Sequence, residues 1–509
     1  MLCLLEEINT ENERVLAGGG PKYVARHRER GKLPVRERVE LLVDRGAPML
    51  ELSPLAGYGT EHPLGGGMMM AIGQVEGTEC LIMANDPTIR GGSQSPVSVA
   101  KALRGYEIAR INKLPLINLT ESGGADLPFQ SQIFVPGGAT FKEISRLSKN
   151  GVPTLALVFG SSTAGGAYVP GMSDYTVFVK GGAKVFLGGP PLVKMATNED
   201  ADEETLGGAE MHAKQSGLAD YLARDEFEAI ALGRQIMRHL RMSRPSPDGA
   251  AGPDPAYDLD ELLGVPSVDP RIPYDIRDVI ARTVDASEFE EFKPLYGANL
   301  VCGWARLHGR DIGILGNNGI LFSEESQKGA QFIQLCNQQS IPLLFIHNIT
   351  GFMVGTRYEQ GGIIKDGAKL INAVSNSCVP HYSLMVGNSY GAGNYAMSGR
   401  AYDPRFVFSW PTHKIAVMGG KQLAGVLSIV RENAAKASGR ELDADAEAQA
   451  RAAVEAQIDS EQTALYATGQ IWDDGIIDPR DTRTVLGLAM SAARGNPIDS
   501  ERGYAAYRM

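Results

Sequence analysis

Apolar and charged residues recur at helical spacing between Tyr23 and Leu42, predicting surface helices over the first ~45 residues. From Met70 the texture changes to short apolar runs punctuated by glycine. The segment Val99–Ile111 has helical periodicity and leads through Leu114-Pro115 into a continuous apolar run, Leu116–Leu119. A glycine-bearing loop follows, then a helix with Phe141, Ile144 and Leu147 on one face. A second X-Pro step, Val152-Pro153, opens Thr154–Phe159, again apolar without alternation. Such runs alternating with helices predict parallel strands covered on both faces. Far downstream, Ala434–Gln457 is rich in Ala, Glu and Arg and predicts one long solvent-facing helix.

The same succession occurs twice. A shift of 227 residues carries Lys101 onto Lys328 and keeps the halves in register, without a gap, to Tyr168 and Tyr395. Landmarks coincide along the way: Pro115 with Pro342, Gly124 with Gly351, Ser148 with Ser375, Gly160 with Gly387. Apolar partners agree too, as in Ile108 with Leu335 and Val152 with Val379. A constant offset that preserves both Gly and Pro positions indicates an internal duplication. The chain of 509 residues also exceeds the ~250–300 that one hydrophobic core fills. Two α/β lobes are therefore expected, 1–245 and 257–509. A Pro/Gly-rich linker over 246–256, overlapping the run Arg244–Pro255, joins them, since that run can continue neither a helix nor a sheet.

Composition narrows the function by exclusion. With 43% hydrophobic and 21% charged residues the chain is globular, and its net charge of −11 argues against a nucleic-acid binder or a membrane-surface protein. A phosphate-bearing substrate would have to meet a local basic patch. The five cysteines are scattered without a CxxC pair, so neither a zinc ribbon nor a disulfide framework is indicated. The eight histidines show no metal-ligand spacing, and no bound metal is expected. The start lacks a basic n-region and no run of ~18 apolar residues appears, so the protein is expected to be cytoplasmic.

Chemistry concentrates in two matched turns. Each repeat ends its second strand in small residues: Gly160-Ser-Ser-Thr-Ala-Gly-Gly-Ala-Tyr168 and Gly387-Asn-Ser-Tyr-Gly-Ala-Gly-Asn-Tyr395. A strand that passes through such a turn into a helix leaves several N–H groups unpaired and pointing the same way. With few side chains in the way, an oxyanion can approach them, and each donor is then worth ~2.7–4 kcal/mol. One such turn by itself reads better as tight packing that needs glycine. Two at matched positions favour function.

These turns, with Asn85-Asp-Pro-Thr, Glu121-Ser-Gly-Gly-Ala125, Asn348-Ile-Thr-Gly-Phe352 and Gly399-Arg-Ala-Tyr402, resemble the carboxyltransferase (β) subunits of biotin-dependent acyl-CoA carboxylases. The resemblance runs from about Gly19 to Met509. Gly188–Thr197 and Gly361–Lys369 look like the methylcrotonyl-CoA and geranyl-CoA carboxylase branch. It implies two crotonase-like (ClpP/crotonase) lobes and transfer of CO2 from carboxybiotin to an acyl-CoA, branched or α,β-unsaturated. In that family the biotin anion itself removes the acyl-CoA proton, and the enolate then attacks CO2. By similarity Gly165, Gly166 and Ala167 would hold the thioester enolate oxygen, and Gly391, Ala392 and Gly393 the biotin ureido oxygen. Tyr168 and Tyr395 flank the turns, and Gly123 and Gly124 belong to the substrate side. The chain lacks a biotin-attachment motif, so the resemblance implies a partner (α) subunit carrying biotin carboxylase and biotin carboxyl carrier functions. It also implies a homohexamer with interfacial active sites.

Two further positions concern the substrate. Arg90-Gly91-Gly92-Ser93, with Lys101 and Arg104 on the next helix, suits CoA phosphates, although the same pattern also describes a solvated helix face. Phe134-Val-Pro-Gly-Gly138 reads as a helix-opening turn. Methylcrotonyl-type relatives tend to place Phe-Gly here, so Gly137 predicts a roomier acyl pocket. Three rivals share parts of this reading. They are a biotin-dependent decarboxylase subunit, a crotonase-type hydratase or isomerase working without biotin, and a non-catalytic assembly subunit. A β subunit confined to 3-methylcrotonyl-CoA is the narrower alternative.

Overall fold

The computed structural model describes residues 1–240, 252–269, 272–439, 443–498 and 503–506. Contacts divide the chain into two compact units. One comprises Asn9–Pro247 and Met490–Asn496; the other comprises Met1–Ile8, Asp248–Ala489 and Pro497–Met509. Of the segment read as a linker, residues 246–251 lie outside the described residues.

After the helix Leu2–Leu16, the N-terminal unit continues with two short helices, α1 (Pro21–Glu29) and α2 (Val35–Leu42). They are not simply surface helices, because Arg38, Val39 and Leu42 of α2 are buried. The sheet then builds from β1 (Leu50–Glu51), β2 (Met68–Val75), β3 (Thr78–Asn85), β4 (Leu116–Ser122), β5 (Thr154–Thr163), β6 (Tyr175–Val179), β7 (Lys184–Phe186) and β8 (Tyr221–Ala223). Helices α3 (Pro96–Asn112) and α4 (Gln130–Lys149) connect β3 to β4 and β4 to β5, and α5 (Glu226–His239) follows β8. The order is β1-β2-β3-β4-β5-β6-β8, with β7 beside β5. From β3 to β8 all pairings are parallel, as expected of continuous apolar runs. The antiparallel hairpin β2–β3 on their flank is an addition that the glycine-punctuated pattern does not resolve. Ile117, Leu119, Leu155, Leu157, Phe159 and Val177 form the centre of the core. Each such side chain contributes ~1.5–3 kcal/mol by leaving water.

The C-terminal unit repeats the plan with β9 (Phe289–Phe292), β10 (Leu300–Leu307), β11 (Arg310–Asn317), β12 (Gly319–Leu321), β13 (Leu343–Phe352), β14 (His381–Tyr390), β15 (Phe406–Ser409) and β16 (Lys414–Ala416). Helix α6 (Ser323–Gln339) precedes β13, and α7 (Ile363–Ser375) precedes β14. The shift of 227 residues carries α3 onto α6 and β5 onto β14, end to end. It also preserves register: Leu116 pairs with Thr154, and Leu343 with His381. The duplication is a structural fact.

Both units share an irregularity. Between Thr120 and Ser122 of β4 the partner strand advances from Val158 to Ser162, and between His347 and Ile349 of β13 it advances from Met385 to Ser389. Each central strand therefore carries a bulge, Phe159-Gly160-Ser161 or Val386-Gly387-Asn388, just before its small-residue turn.

Two expectations are corrected. Phe134–Gly138 is not a helix-opening turn; it lies inside α4, which begins at Gln130 and accommodates Pro136. The stretch Ala434–Gln457 is not one helix but parts of two, α8 (Gly420–Ala437) and α9 (Ala444–Glu461). Gly439 takes a left-handed conformation after the first, and the Asp443 carboxylate accepts from the N–H groups of Asp445 and Ala446 to start the second. Among the described residues no helix is long and apolar enough to cross a membrane.

Candidate active site

The two bulges deliver the chain into the two turns. In the N-terminal unit Ala164–Ala167 winds as a 3-10 helix before the short helix Tyr168–Met172. In the C-terminal unit the matching residues begin a short α-helix, Gly391–Ala396. Each turn opens on a left-handed residue at the same place in the repeat, Ala164 at φ +52° and Gly391 at φ +55°. For alanine that conformation costs roughly 1–2 kcal/mol, the kind of local strain that collects at functional sites. The N–H groups of Gly391, Ala392 and Gly393 are the first three of their helix and have no acceptor within it. The tighter 3-10 winding of the other turn engages its N–H groups one residue sooner, so Ala164 and Gly165 lead there.

Side chains pin both turns from equivalent positions. Ser162 Oγ donates to the Gly166 carbonyl at 2.8 Å. Ser389, its repeat mate, accepts from Asn394 Nδ2 at 2.8 Å and lies 3.0 Å from His347 Nδ1. Around the N-terminal turn the packing tolerates only small residues. A Cβ on Gly124 would stand 3.2 Å from Thr163 Oγ1, and one on Gly92 would stand 2.2 Å from the Glu121 carbonyl. The Gly124 carbonyl accepts from Gln94 N–H, and the Gly91 carbonyl from Gly123 N–H. Gly91, Gly92, Gly123, Gly124, Gly165, Gly166 and Ala167 thus gather at the carboxyl ends of β3, β4 and β5, where α/β sheets bind ligands. Tyr168 is exposed, with its ring 5.2 Å from Phe141, whose edge faces the space over Gly165. In the other unit Tyr395 is likewise exposed and stacks on Tyr402, and Ile349 packs where a Cβ on Gly393 would go.

The basic patch does not assemble as expected. Lys101 is fully buried and donates to the carbonyls of Gly65 and Met68, so it braces a glycine turn and cannot meet a phosphate. Burial lowers its pKa to about 8. Lys328 repeats the arrangement, buried and within 3.4 Å of the Gly297 carbonyl. Arg104 is buried as well and pairs with Glu107 at 2.8 Å. Arg90 remains exposed, paired with Asp126 at 2.7 Å. The N–H groups of Gly92 and Ser93 are spent within their own turn, and α3 is capped separately by Ser95. Gly137 sits half-buried in α4, one turn before Phe141, and a Cβ there would touch only Ile133, at 3.6 Å.

No Ser/His/Asp relay is built at either turn. His347, His381 and His413 are buried, and burial drives their pKa values down to about 3, about 3 and about 4. Among the described residues no cluster of three metal-ligating side chains occurs. The sequence reading missed a buried ionic cluster behind the N-terminal turn. Arg38 forks onto Glu226 at 2.6 and 2.9 Å and reaches Glu121 at 2.9 Å, with its guanidinium 4.5 Å over the Phe159 ring. Lys32 pairs with the other Glu121 oxygen and donates to the Phe159 carbonyl at 3.3 Å. Burial would raise the Glu121 pKa, but Arg38 and Lys32 outweigh it and hold the carboxylate below its ordinary range. Gly160, an isolated glycine in an apolar strand, was the signal available.

Comparison with known proteins fits this geometry. The carboxyl transferase domain family matches residues 26–503. A probable biotin-dependent acyl-coenzyme A carboxylase beta2 subunit of Mycobacterium tuberculosis is 59% identical over 506 residues, 99% of this chain and 96% of that protein. A biotin-dependent 3-methylcrotonyl-coenzyme A carboxylase beta1 subunit of the same organism is 48% identical over 513 residues, covering 99% and 97%. Among solved structures, the β subunit of P. aeruginosa geranyl-CoA carboxylase superposes with a TM-score of 0.91 at 44% identity, covering 99% and 96%. Duplicated lobes, matched turns and relatives of this likeness over the whole chain lead to one conclusion: the chain belongs to the carboxyl transferase family, as a carboxyltransferase of biotin-dependent acyl-CoA carboxylases.

Proposed function

We propose that the protein transfers CO2 to a branched or α,β-unsaturated acyl-CoA, with the N-terminal turn serving the acyl thioester and the C-terminal turn serving biotin on a separate partner subunit. The observation that carries this reading is the matched pair of helix starts built only of Gly and Ala, each opened by a left-handed residue. Carboxybiotin, when bound, supplies the CO2 and takes up the acyl proton. The N–H groups of Gly391, Ala392 and Gly393, which have no acceptor within their helix, suit a ureido oxygen, since Ala392 is exposed and no larger side chain stands on those three residues. At the other turn Gly165, whose N–H is among those that lead the 3-10 turn, would stabilise the enolate oxygen, and Gly166 and Ala167 would hold the turn behind it. Phe141 and Tyr168 would keep water from it. Gly123 and Gly124 let the thioester approach the backbone, and Arg90 is the remaining cation for a CoA phosphate. Following the family resemblance, the assembly would be a homohexamer with interfacial sites. The likeness to geranyl-CoA and methylcrotonyl-CoA carboxylase subunits, together with the open space at Gly137, supports an acyl chain longer than methylcrotonyl.

Ala392→Pro tests the division of labour. Ala392 is the second residue of its helix, where proline is tolerated and removes one N–H. Carboxylation, followed as bicarbonate fixed into a panel of acyl-CoAs with the biotinylated partner present, should fall ~100–1,000-fold in kcat. Ala392→Gly should stay near the parent. A folded Ala392→Pro enzyme with full activity would overturn the biotin assignment.

A further inference from the structure

The two bulges are held by different chemistry. A bulge removes strand carbonyls from the ladder, and those carbonyls need other donors. In the C-terminal unit neutral groups supply them: Thr412 Oγ1 donates to the Val386 carbonyl at 2.7 Å, and His413 Nδ1 to the Gly387 carbonyl at 3.0 Å. Asn348 lies over the bulge glycine, its Oδ1 2.5 Å from where a Cβ on Gly387 would be. In the N-terminal unit the repeat mate of Asn348 is Glu121, whose carboxylate lies 2.4 Å from the equivalent point on Gly160. Here the donor to the freed Phe159 carbonyl is a cation, Lys32, which the same carboxylate holds in place. Arg38 closes the arrangement from α2 and ties it to Glu226 on α5. His27 of α1 faces the same cluster, 3.5 Å from Arg38, with its other contact at the Leu33 carbonyl.

We infer that Glu121, with Lys32 and Arg38, is a positioning group that sets the bulge at Phe159–Ser161 and thereby aims the N-terminal turn at the acyl thioester. The inference rests on the proposed division of labour between the turns. Three observations carry it. Glu121 is buried, with a side-chain exposure of 11%, and sits where no ligand is needed to explain its partners. The next two residues, Ser122 and Gly123, begin the substrate-side loop, and the Glu121 carbonyl packs directly on Gly92. Gly160, under the carboxylate, is two residues from Ser162, which pins Gly166. A shift of the carboxylate therefore moves both edges of the site together.

The experiment uses Glu121→Gln and Lys32→Met in the full enzyme with its biotinylated partner. Lys32 retains a side-chain exposure of 22%, so methionine fits in its place while the Phe159 carbonyl and one Glu121 oxygen lose their donor. The expected result is a kcat ~10–100-fold lower, the cost of a misplacement near 1 Å, with acyl-CoA Kd within about threefold of the parent. Breakdown of free carboxybiotin without acyl-CoA, which needs only the other turn, should be unchanged, and Glu121→Asp should recover part of kcat. A folded variant with parental kcat overturns the inference. So does a loss of activity that follows a lowered melting temperature while kcat per folded molecule stays constant. Failure of the underlying reading looks different: Gly165→Pro would then retain activity, whereas failure of this inference alone leaves Gly165→Pro inactive and Glu121→Gln normal.

Discussion

The histidine at the start of β14 makes stability depend on pH in a calculable way. His381 is buried, its ring 5.0 Å from that of Phe345 and its Nδ1 3.0 Å from Ser398 Oγ. Burial, helped by the charge of Arg405, lowers its pKa to about 3. Its folded pKa is therefore depressed below the ordinary 6.5, so the unfolded chain binds the proton more tightly. Stability is complete above the unfolded value and is lost as pH falls below it, continuing until the folded value is reached. At pH 5 one such group costs about 2 kcal/mol. His347 and His413 add similar amounts, about 6 kcal/mol for the three, against a typical domain stability of about 5–15 kcal/mol. Urea unfolding of the parent at pH 7 and pH 5 should show a loss of that order. In His381→Gln, which keeps a partner for Ser398, the loss between the two pH values should shrink by about 2 kcal/mol. If parent and variant lose the same amount, burial does not control this titration and the reasoning fails.

Other substitutions separate binding from bracing. Gly137→Phe should reduce activity on long acyl-CoAs far more than on short ones in a chain-length panel, and unchanged preference would refute the roomy pocket. Lys101→Met should lower the melting temperature, since two carbonyls lose their buried donor, yet leave the acyl-CoA KM within about twofold; a large rise in KM would restore the phosphate role. Gly160→Ala drives a Cβ into the Glu121 carboxylate and should destabilise by roughly 1–3 kcal/mol in a denaturant titration, whereas Gly138→Ala, where nothing lies within 4 Å, should not.

How much of this was legible beforehand follows from the range of the interactions. Helices α3 and α6 and strands β4, β5, β13 and β14 announce themselves because periodicity and X-Pro steps are local signals, and the repeat reinforces each reading. The turns were legible for the same reason. Lys101 was misread because a lysine on a helix is ordinarily solvated, although its match with Lys328 inside an otherwise apolar register was a sign of burial. The Lys32–Glu121 and Arg38–Glu226 pairs join residues far apart in sequence, and no spacing rule connects them. Gly137 was misplaced because Pro136 normally ends a helix, whereas tertiary packing by Ile133, Ile144 and Leu147 carries α4 through it.

The size of the bulge has an evolutionary consequence. Side chains along a strand alternate between faces, so an odd insertion would turn every later residue inside out. Here β5 advances four residues while β4 advances two, and β14 does the same against β13. The surplus is even, so parity survives: Leu155 and Leu157 before it keep their faces, and the strand beyond it bends without exchanging core for solvent. A pocket can thus be re-aimed at fixed hydrophobic pattern, and the copy proposed to serve the acyl group is free to drift toward a new one while the other keeps its own alignment.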